Sequence, residues 1–143
     1  DSNISHIKWM EWIEQKLDTK IPFPVIADYM GRVSEELELL KEESSTATIR
    51  AGYIVNPDSK IRALLFYPLE MGRNKNEILR MLTAFQVGEE HDDAISANWP
   101  NYEVVGEDII VPPPGIQDEA MKRCEKYECL DWWLCLKKHQ MMI

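Results

Sequence analysis

Two short runs rich in β-branched and aromatic residues, 49–55 and 61–67, are separated by Asn56-Pro57-Asp58-Ser59-Lys60, and this pattern constrains the fold more than any other feature. Val, Ile, Tyr and Phe suit a pleated, half-buried surface, and a link of Asn, Pro, Asp and Ser is turn chemistry. The two runs are therefore expected to close as an antiparallel hairpin. Upstream, Trp9, Ile13 and Leu17 recur every four residues with Trp12 beside them, the stripe of an amphipathic helix over 6–17 with its tryptophans in the core. Phe23-Pro24-Val25-Ile26-Ala27 reads as a short buried strand beginning near its proline. A helix with Val33, Leu37 and Leu40 on one face follows, then a polar loop over 41–47. Downstream of the hairpin, Asn74 is placed to cap a helix whose fourth residue, Glu77, faces the N-terminal dipole, with Ile78, Leu82 and Phe85 inward. Strand, helix and hairpin together make an α/β core.

After Gly88 the character of the chain changes. Residues 89–93 are mostly acidic, and Asn98-Trp99-Pro100-Asn101 and Val111-Pro112-Pro113-Pro114-Gly115 punctuate a stretch with little helical period. Proline fixes φ and removes a donor, so this segment is expected to run extended over a surface. The sequence thus divides into a core, 1–88, and a C-terminal arm, 89–143, that ends in a helical segment over 117–127 and the run Cys129-Leu130-Asp131-Trp132-Trp133-Leu134-Cys135. Trp99, Trp132 and Trp133 are placed outside the core, where so much aromatic area calls for docking on a neighbouring subunit or back on the chain's own core.

A formal net charge of −9 removes the basic footprint that draws a protein to phosphate backbones or anionic lipid. Nucleic acid and membrane are not expected partners. No run approaches the ~20 apolar residues of a membrane span, and 1–6 show no charged segment leading into an apolar one, so the expected location is cytoplasmic. The three cysteines, Cys124, Cys129 and Cys135, all lie near the C-terminus, which leaves the main body without staples and is not the pattern of a secreted disulfide scaffold.

The residues that can carry chemistry are few. Arg50 stands in an apolar strand and shares a face with Gly52 and Ile54. A guanidinium there either pairs with a carboxylate or holds an anion or thiolate, since a fixed cation lowers a thiol pKa and stabilises charge on a leaving oxygen. Arg73, before the Asn74 cap, reads as a bridge between elements, and His6, at a helix entrance, as structural. Cys124, Cys129, Cys135 and His139 supply ligand types that zinc accepts, without the short Cys-x2-Cys knuckle, so no metal is assigned. Cys129 and Cys135 flank an aromatic anchor, a layout suited to carrying a reactive thiol on an arm, whereas Cys124 reads as an idle thiol. Nucleotide-binding glycine loops, a nucleophile elbow and a zinc-protease motif are all absent from the sequence.

Phe23-Pro24-Val25-Ile26-Ala27-Asp28, then 49–58, then Tyr67-Pro68-Leu69-Glu70-Met71-Gly72-Arg73-Asn74 resemble peroxiredoxins, in the right order. Ala97-Asn98-Trp99-Pro100-Asn101, Ile110-Val111-Pro112-Pro113-Pro114 and 129–135 resemble the archaeal subgroup with a long C-terminal arm. The resemblance runs from about Asp1 to Cys135. It implies a partial thioredoxin-like fold whose arm reaches across a homodimer or higher homo-oligomer, no cofactor, a hydroperoxide substrate and a thiol reductant such as a thioredoxin-like protein. It also implies roles. Arg50 matches the family's active-site arginine, and Cys135, with Cys129 as exchange partner, matches the arm cysteines that resolve a sulfenic acid to a disulfide.

The family's peroxidatic motif, Pro-x-x-x-Thr-x-x-Cys, does not occur in these residues: counting back from each cysteine finds Met121 and Gln117, Lys126 and Lys122, or Trp132 and Glu128 in place of Thr and Pro. The 143 residues are therefore expected to be inactive alone. They are expected either to belong with an N-terminal segment in a working peroxidase or to be a non-catalytic paralogue that serves as an interaction module.

Overall fold

The computed structural model describes residues 1–41 and 44–139, with side chains described outside 41–47. The chain folds as two compact units, Asp1–Arg73 and Asn74–Ile143. Among the described residues no helix is long and apolar enough to cross a membrane.

The first unit opens with α1 (Asn3–Leu17), whose N-cap Ser2 accepts a hydrogen bond from the Ser5 amide. Its apolar stripe forms as the spacing requires but is not covered: Trp9 and Trp12 are each 51% exposed, so the expectation that they are core is corrected. Nor do residues 23–27 form a strand among the described residues, because a strand persists only where a ladder partner completes its backbone hydrogen bonds, and none is paired with them. The helix expected through Leu40 is the short α2 (Arg32–Glu36), and Leu40 itself belongs to β1 (Leu40–Lys41), which pairs antiparallel with β2 (Ser44–Thr48). Lys41 and residues 44–47 are thus strand rather than loop; Glu42 and Glu43, the rest of that expected loop, lie outside the described residues. Gly31 at the α2 N-cap has no side chain, and Asp28 takes over the capping: its carboxylate accepts from the Val33 and Ser34 amides and the Ser34 hydroxyl.

The hairpin forms as expected from β3 (Arg50–Val55) and β4 (Ile61–Tyr67), with Asn56 accepting from the Lys60 amide across the turn. Directly opposed pairs share a face, so Arg50, Gly52 and Ile54 lie with Tyr67, Leu65 and Ala63 on the more buried side. Tyr53 and Phe66 meet edge to face on the other side, and the Tyr53 hydroxyl donates to the Leu37 carbonyl at 2.8 Å.

In the second unit, α3 (Lys75–His91) starts where the sequence places it: the Asn74 side chain accepts from the Asn76 and Glu77 amides. Gly88, the expected border of core and arm, lies within this helix. Val87 of α3, Trp99 and Ile109 form a buried cluster, with Ala84 and Ile95 packed against it. Trp99, placed outside the core on the strength of its proline-flanked setting, is instead 1% exposed and donates its indole N–H to the Glu107 carbonyl at 2.8 Å. The arm segment is not a plain extended strap. β5 (Ile109–Val111), β6 (Glu128–Asp131) and β7 (Leu134–Lys137) make a three-stranded antiparallel sheet in the order β5-β7-β6, and α4 (Gln117–Lys126) sits in the connection between β5 and β6.

Candidate redox site

The site is built on the β6–β7 hairpin. Cys129 and Cys135 are directly opposed across the two strands with Cα atoms 4.0 Å apart, and their sulfurs are joined in a disulfide. The turn between them is held by Asp131, whose carboxylate accepts from the Trp132 amide at 2.7 Å and from the Trp133 indole N–H at 3.1 Å. Trp132 and Trp133 remain about half exposed, as the sequence leads one to expect of an anchor outside the core. Cys135 is 0% exposed, and its sulfur lies 3.6 Å from the carbonyl oxygens of both Asp131 and Trp132. Cys129 is partly buried and Cys124, on α4, is an exposed free thiol.

The three sulfurs lie within 4.8 Å of one another. Sequence spacing did not single out Cys124, because nothing in a run of five and six residues says that a helix will fold back over a hairpin. Arg123, which sequence reasoning also missed, helps to hold the helix in that place. Its guanidinium donates through Nη2 to the carbonyl oxygens of Val111 and Pro112, both at 2.6 Å, and is 8% exposed. One buried cation thus ties α4 to the end of β5. The proline run 112–114 supplies acceptors there without competing donors. The signal available in the sequence was an arginine beside a cysteine in an otherwise polar helix, which is too common to be specific. As zinc ligands the three sulfurs are unequal in this state: two are spent in a disulfide and only Cys124 offers a thiol.

Around the hairpin the charges are paired. Lys138 contacts Asp108 at 2.9 Å and Glu128 at 3.3 Å, which holds its ammonium above the ordinary lysine range, the Asp108 hydrogen bond contributing most. Lys137 pairs with Asp93 at 2.6 Å, joining β7 to the segment after α3. On α3, Arg80 grips Glu77 through two bonds of 2.7 and 2.8 Å and donates to the Trp99 carbonyl at 3.0 Å. The pair lowers the Glu77 carboxyl and raises the Arg80 guanidinium, each chiefly through their mutual hydrogen bonds.

Arg50 belongs to the first unit. Its Nη1 donates to the Met71 carbonyl at 3.0 Å, while Arg73 Nη1 reaches the Ala51 carbonyl at 3.4 Å. The two arginines therefore clamp the start of β3 to the segment before Asn74 by reciprocal backbone contacts. Among the described residues the Met71 carbonyl takes one of the several Arg50 donors.

The comparisons with known proteins agree with one another. The profile of the C-terminal domain of 1-Cys peroxiredoxin matches residues 84–126. The chain is similar to the peroxiredoxin of Ignicoccus hospitalis, 51% identical over 138 residues that make up 96% of this chain and 59% of the relative. It is also 51% identical to the peroxiredoxin of Archaeoglobus fulgidus over 96% of this chain and 66% of the relative. Among solved structures, the yeast mitochondrial 1-Cys peroxiredoxin superposes with a TM-score of 0.78 at 26% identity, covering 97% of this chain and 67% of that one. Peroxiredoxin 6 of Arenicola marina gives 0.68 at 28% identity, over 86% and 57%. The chain spans about three fifths of the length of the first of these curated relatives. It belongs to the peroxiredoxin family, of which it carries a thioredoxin-like, C-terminal-type portion.

Proposed function

We propose that this chain supplies the substrate-side arginine and the resolving disulfide of a thiol-dependent peroxidase that reduces hydrogen peroxide and organic hydroperoxides. The observation that carries the proposal is the Cys129–Cys135 disulfide, set on a two-strand hairpin beside exposed aromatic residues. In this reading the peroxidatic thiolate comes from a segment outside these 143 residues. It attacks the O–O bond, takes up one oxygen as a sulfenic acid and releases an alcohol or water. Arg50 stabilises the thiolate and the charge developing on the leaving oxygen. The Cys135 thiol then condenses with the sulfenic acid, expelling water and forming a mixed disulfide. Attack by Cys129 on Cys135 frees the peroxidatic thiol and leaves the Cys129–Cys135 bond.

A dithiol reductant of the thioredoxin type closes the cycle by taking that bond's oxidising equivalents. The yeast mitochondrial 1-Cys neighbour, whose thiol is resolved via glutathione and thioredoxin systems, supports such a reductant by likeness. A cytoplasmic setting, rich in such thiols, belongs to the same reading. So does a homodimer or larger homo-oligomer: half-exposed Trp9, Trp12, Trp132 and Trp133 are more apolar area than a lone chain usually leaves in water. In this reading 1–88 serves as the catalytic core portion and 89–143 as the arm.

The test is peroxide consumption with a dithiol reductant, measured on these 143 residues alone and on the protein joined to its upstream segment. Turnover is expected only in the second case, and there Cys135→Ser is expected to abolish dithiol-supported turnover. Undiminished turnover in that variant contradicts the proposal, and absence of turnover in the joined protein favours a non-catalytic interaction module instead.

A further inference from the structure

The mechanism proposed above uses two of the three clustered sulfurs and leaves the third, Cys124, without a task. We propose that Cys124 is a working member of the site: its thiolate attacks Cys129 Sγ, transferring the disulfide from the Cys129–Cys135 pair, of which Cys135 is buried, to a Cys124–Cys129 pair whose two residues both line the open cleft. The place of this step in a catalytic cycle rests on the peroxidase reading; the exchange itself does not.

Three observations carry it. The first is proximity. The sulfurs lie within 4.8 Å of one another, and the gap that remains for Cys124 is within the reach of a rotamer change of an exposed side chain. Arg123, the neighbour of Cys124 in the chain, fixes the helix from the other side, so the approach is a property of the fold and not of a wandering loop. The second is access. In the disulfide form Cys135 is 0% exposed, so an external thiol cannot attack it there, whereas Cys124 and Cys129 both line an open cleft of about 780 Å³ with Ile116, Met121 and Trp132. Disulfide exchange is limited by which sulfur can be attacked. Moving the bond to Cys124 presents it to solvent.

The third is the fate of the leaving group. The carbonyl oxygens of Asp131 and Trp132 stand 3.6 Å from Cys135 Sγ, where they can accept from an S–H but repel a thiolate. The step balances accordingly. The Cys124 thiol gives up its proton as it attacks, the S–S bond to Cys135 breaks as the bond to Cys124 forms, and Cys135 takes a proton and becomes a buried neutral thiol. No oxidant or reductant is consumed. A reductant dithiol then attacks the exposed pair, and reduction yields three thiols.

Trypsin separates the two arrangements. Cleavage after Arg123, Lys126 and Lys137 leaves Cys124 on a short peptide and keeps Cys129 and Cys135 together on the peptide 127–137. The intact 143-residue chain, oxidised and held at mildly alkaline pH, is quenched with acid and a thiol-blocking maleimide and then digested. Two products are expected: 127–137 closed on itself, lacking two hydrogens, and 127–137 cross-linked to 124–126. In Cys135→Ser the cross-linked product is expected to become the main one, and in Cys124→Ser it is lost while the closed peptide persists. Cys124→Ser is also expected to slow reduction by a protein dithiol and to leave reduction by a small phosphine unchanged.

The proposal is overturned if the wild-type chain never yields the cross-linked peptide, or if Cys135→Ser gives only free thiols and disulfides between chains. Neither result involves peroxide. A failure of the peroxidase reading would appear only in turnover of the joined protein, and so remains distinct.

Discussion

In the first unit Trp9 and Trp12 stand out of α1 with about half their surface exposed, whereas in the second Trp99 is 1% exposed beneath α3. The same residue type, in helix and proline-flanked loop respectively, ends on opposite sides of the protein surface. Of the described residues in the first unit only Ile54 is a buried hydrophobic; Val87, Trp99, Val105, Ile109, Val111, Cys135 and Leu136 all belong to the second. Amphipathic periodicity guarantees that a helix has an apolar face. It does not guarantee that the same chain covers that face. The second unit closes its own core because a helix, an indole and three short strands converge, and because Lys137–Asp93 and Arg80–Trp99 contacts fasten segments distant in sequence.

The contrast is broken most directly by truncating the tryptophans. Trp99→Ala empties the centre of a packed cluster and orphans the Glu107 carbonyl, so a loss of about 3–5 kcal/mol is expected, measured by denaturant unfolding followed in the near-ultraviolet. Trp12→Ala removes a side chain already half in water and is expected to cost less than about 1 kcal/mol in this chain. Equal costs would show that α1 is covered after all.

Next in size is the buried guanidinium. Arg123→Met keeps the stem but leaves the Val111 and Pro112 carbonyls without their donor, an expected loss of about 1–3 kcal/mol with faster hydrogen exchange over α4. Unchanged exchange would mean that α4 is held by other contacts. The Asn74 cap comes third: Asn74→Ala frees the Asn76 and Glu77 amides and is expected to cost about 1 kcal/mol, read as fraying at the start of α3.

The smallest effect is one of pH. Glu77 is depressed below its ordinary 4.5 by the Arg80 hydrogen bonds, so its contribution is complete above that value and disappears as pH falls through the lower folded value. Because the carboxylate is partly in solvent, the difference between wild type and Glu77→Gln is expected to be a fraction of a kcal/mol, about 0.5 or less. A difference that persisted unchanged in strong acid would contradict this origin.

These outcomes also explain what the sequence could and could not reveal. The β3–β4 hairpin and the α3 start were legible because period-two patterning, turn chemistry and an Asn cap are local. Residues 23–27 and the helix stripe of α1 misled for one reason: strand ladders and buried faces need partners, and the sequence pattern does not say whether those partners are in the same chain. Trp99 misled in the opposite sense, since proline-rich surroundings masked a core residue. Arg50, Cys129 and Cys135 were singled out in the sequence, and the family likeness supplied their expected roles. Cys124 and Arg123 were not, because their roles arise from α4 packing against the sheet.

The central claim is that Cys129 and Cys135 receive the oxidising equivalents of a hydroperoxide. It is tested most directly by adding one equivalent of peroxide to the fully reduced protein, joined to its upstream segment, and mapping thiols and disulfides by mass after acid quench. The expected result is conversion of the Cys129 and Cys135 thiols to a disulfide within one chain, preceded by a transient link from Cys135 to the upstream thiol. Two free arm thiols beside an oxidised upstream cysteine would contradict it.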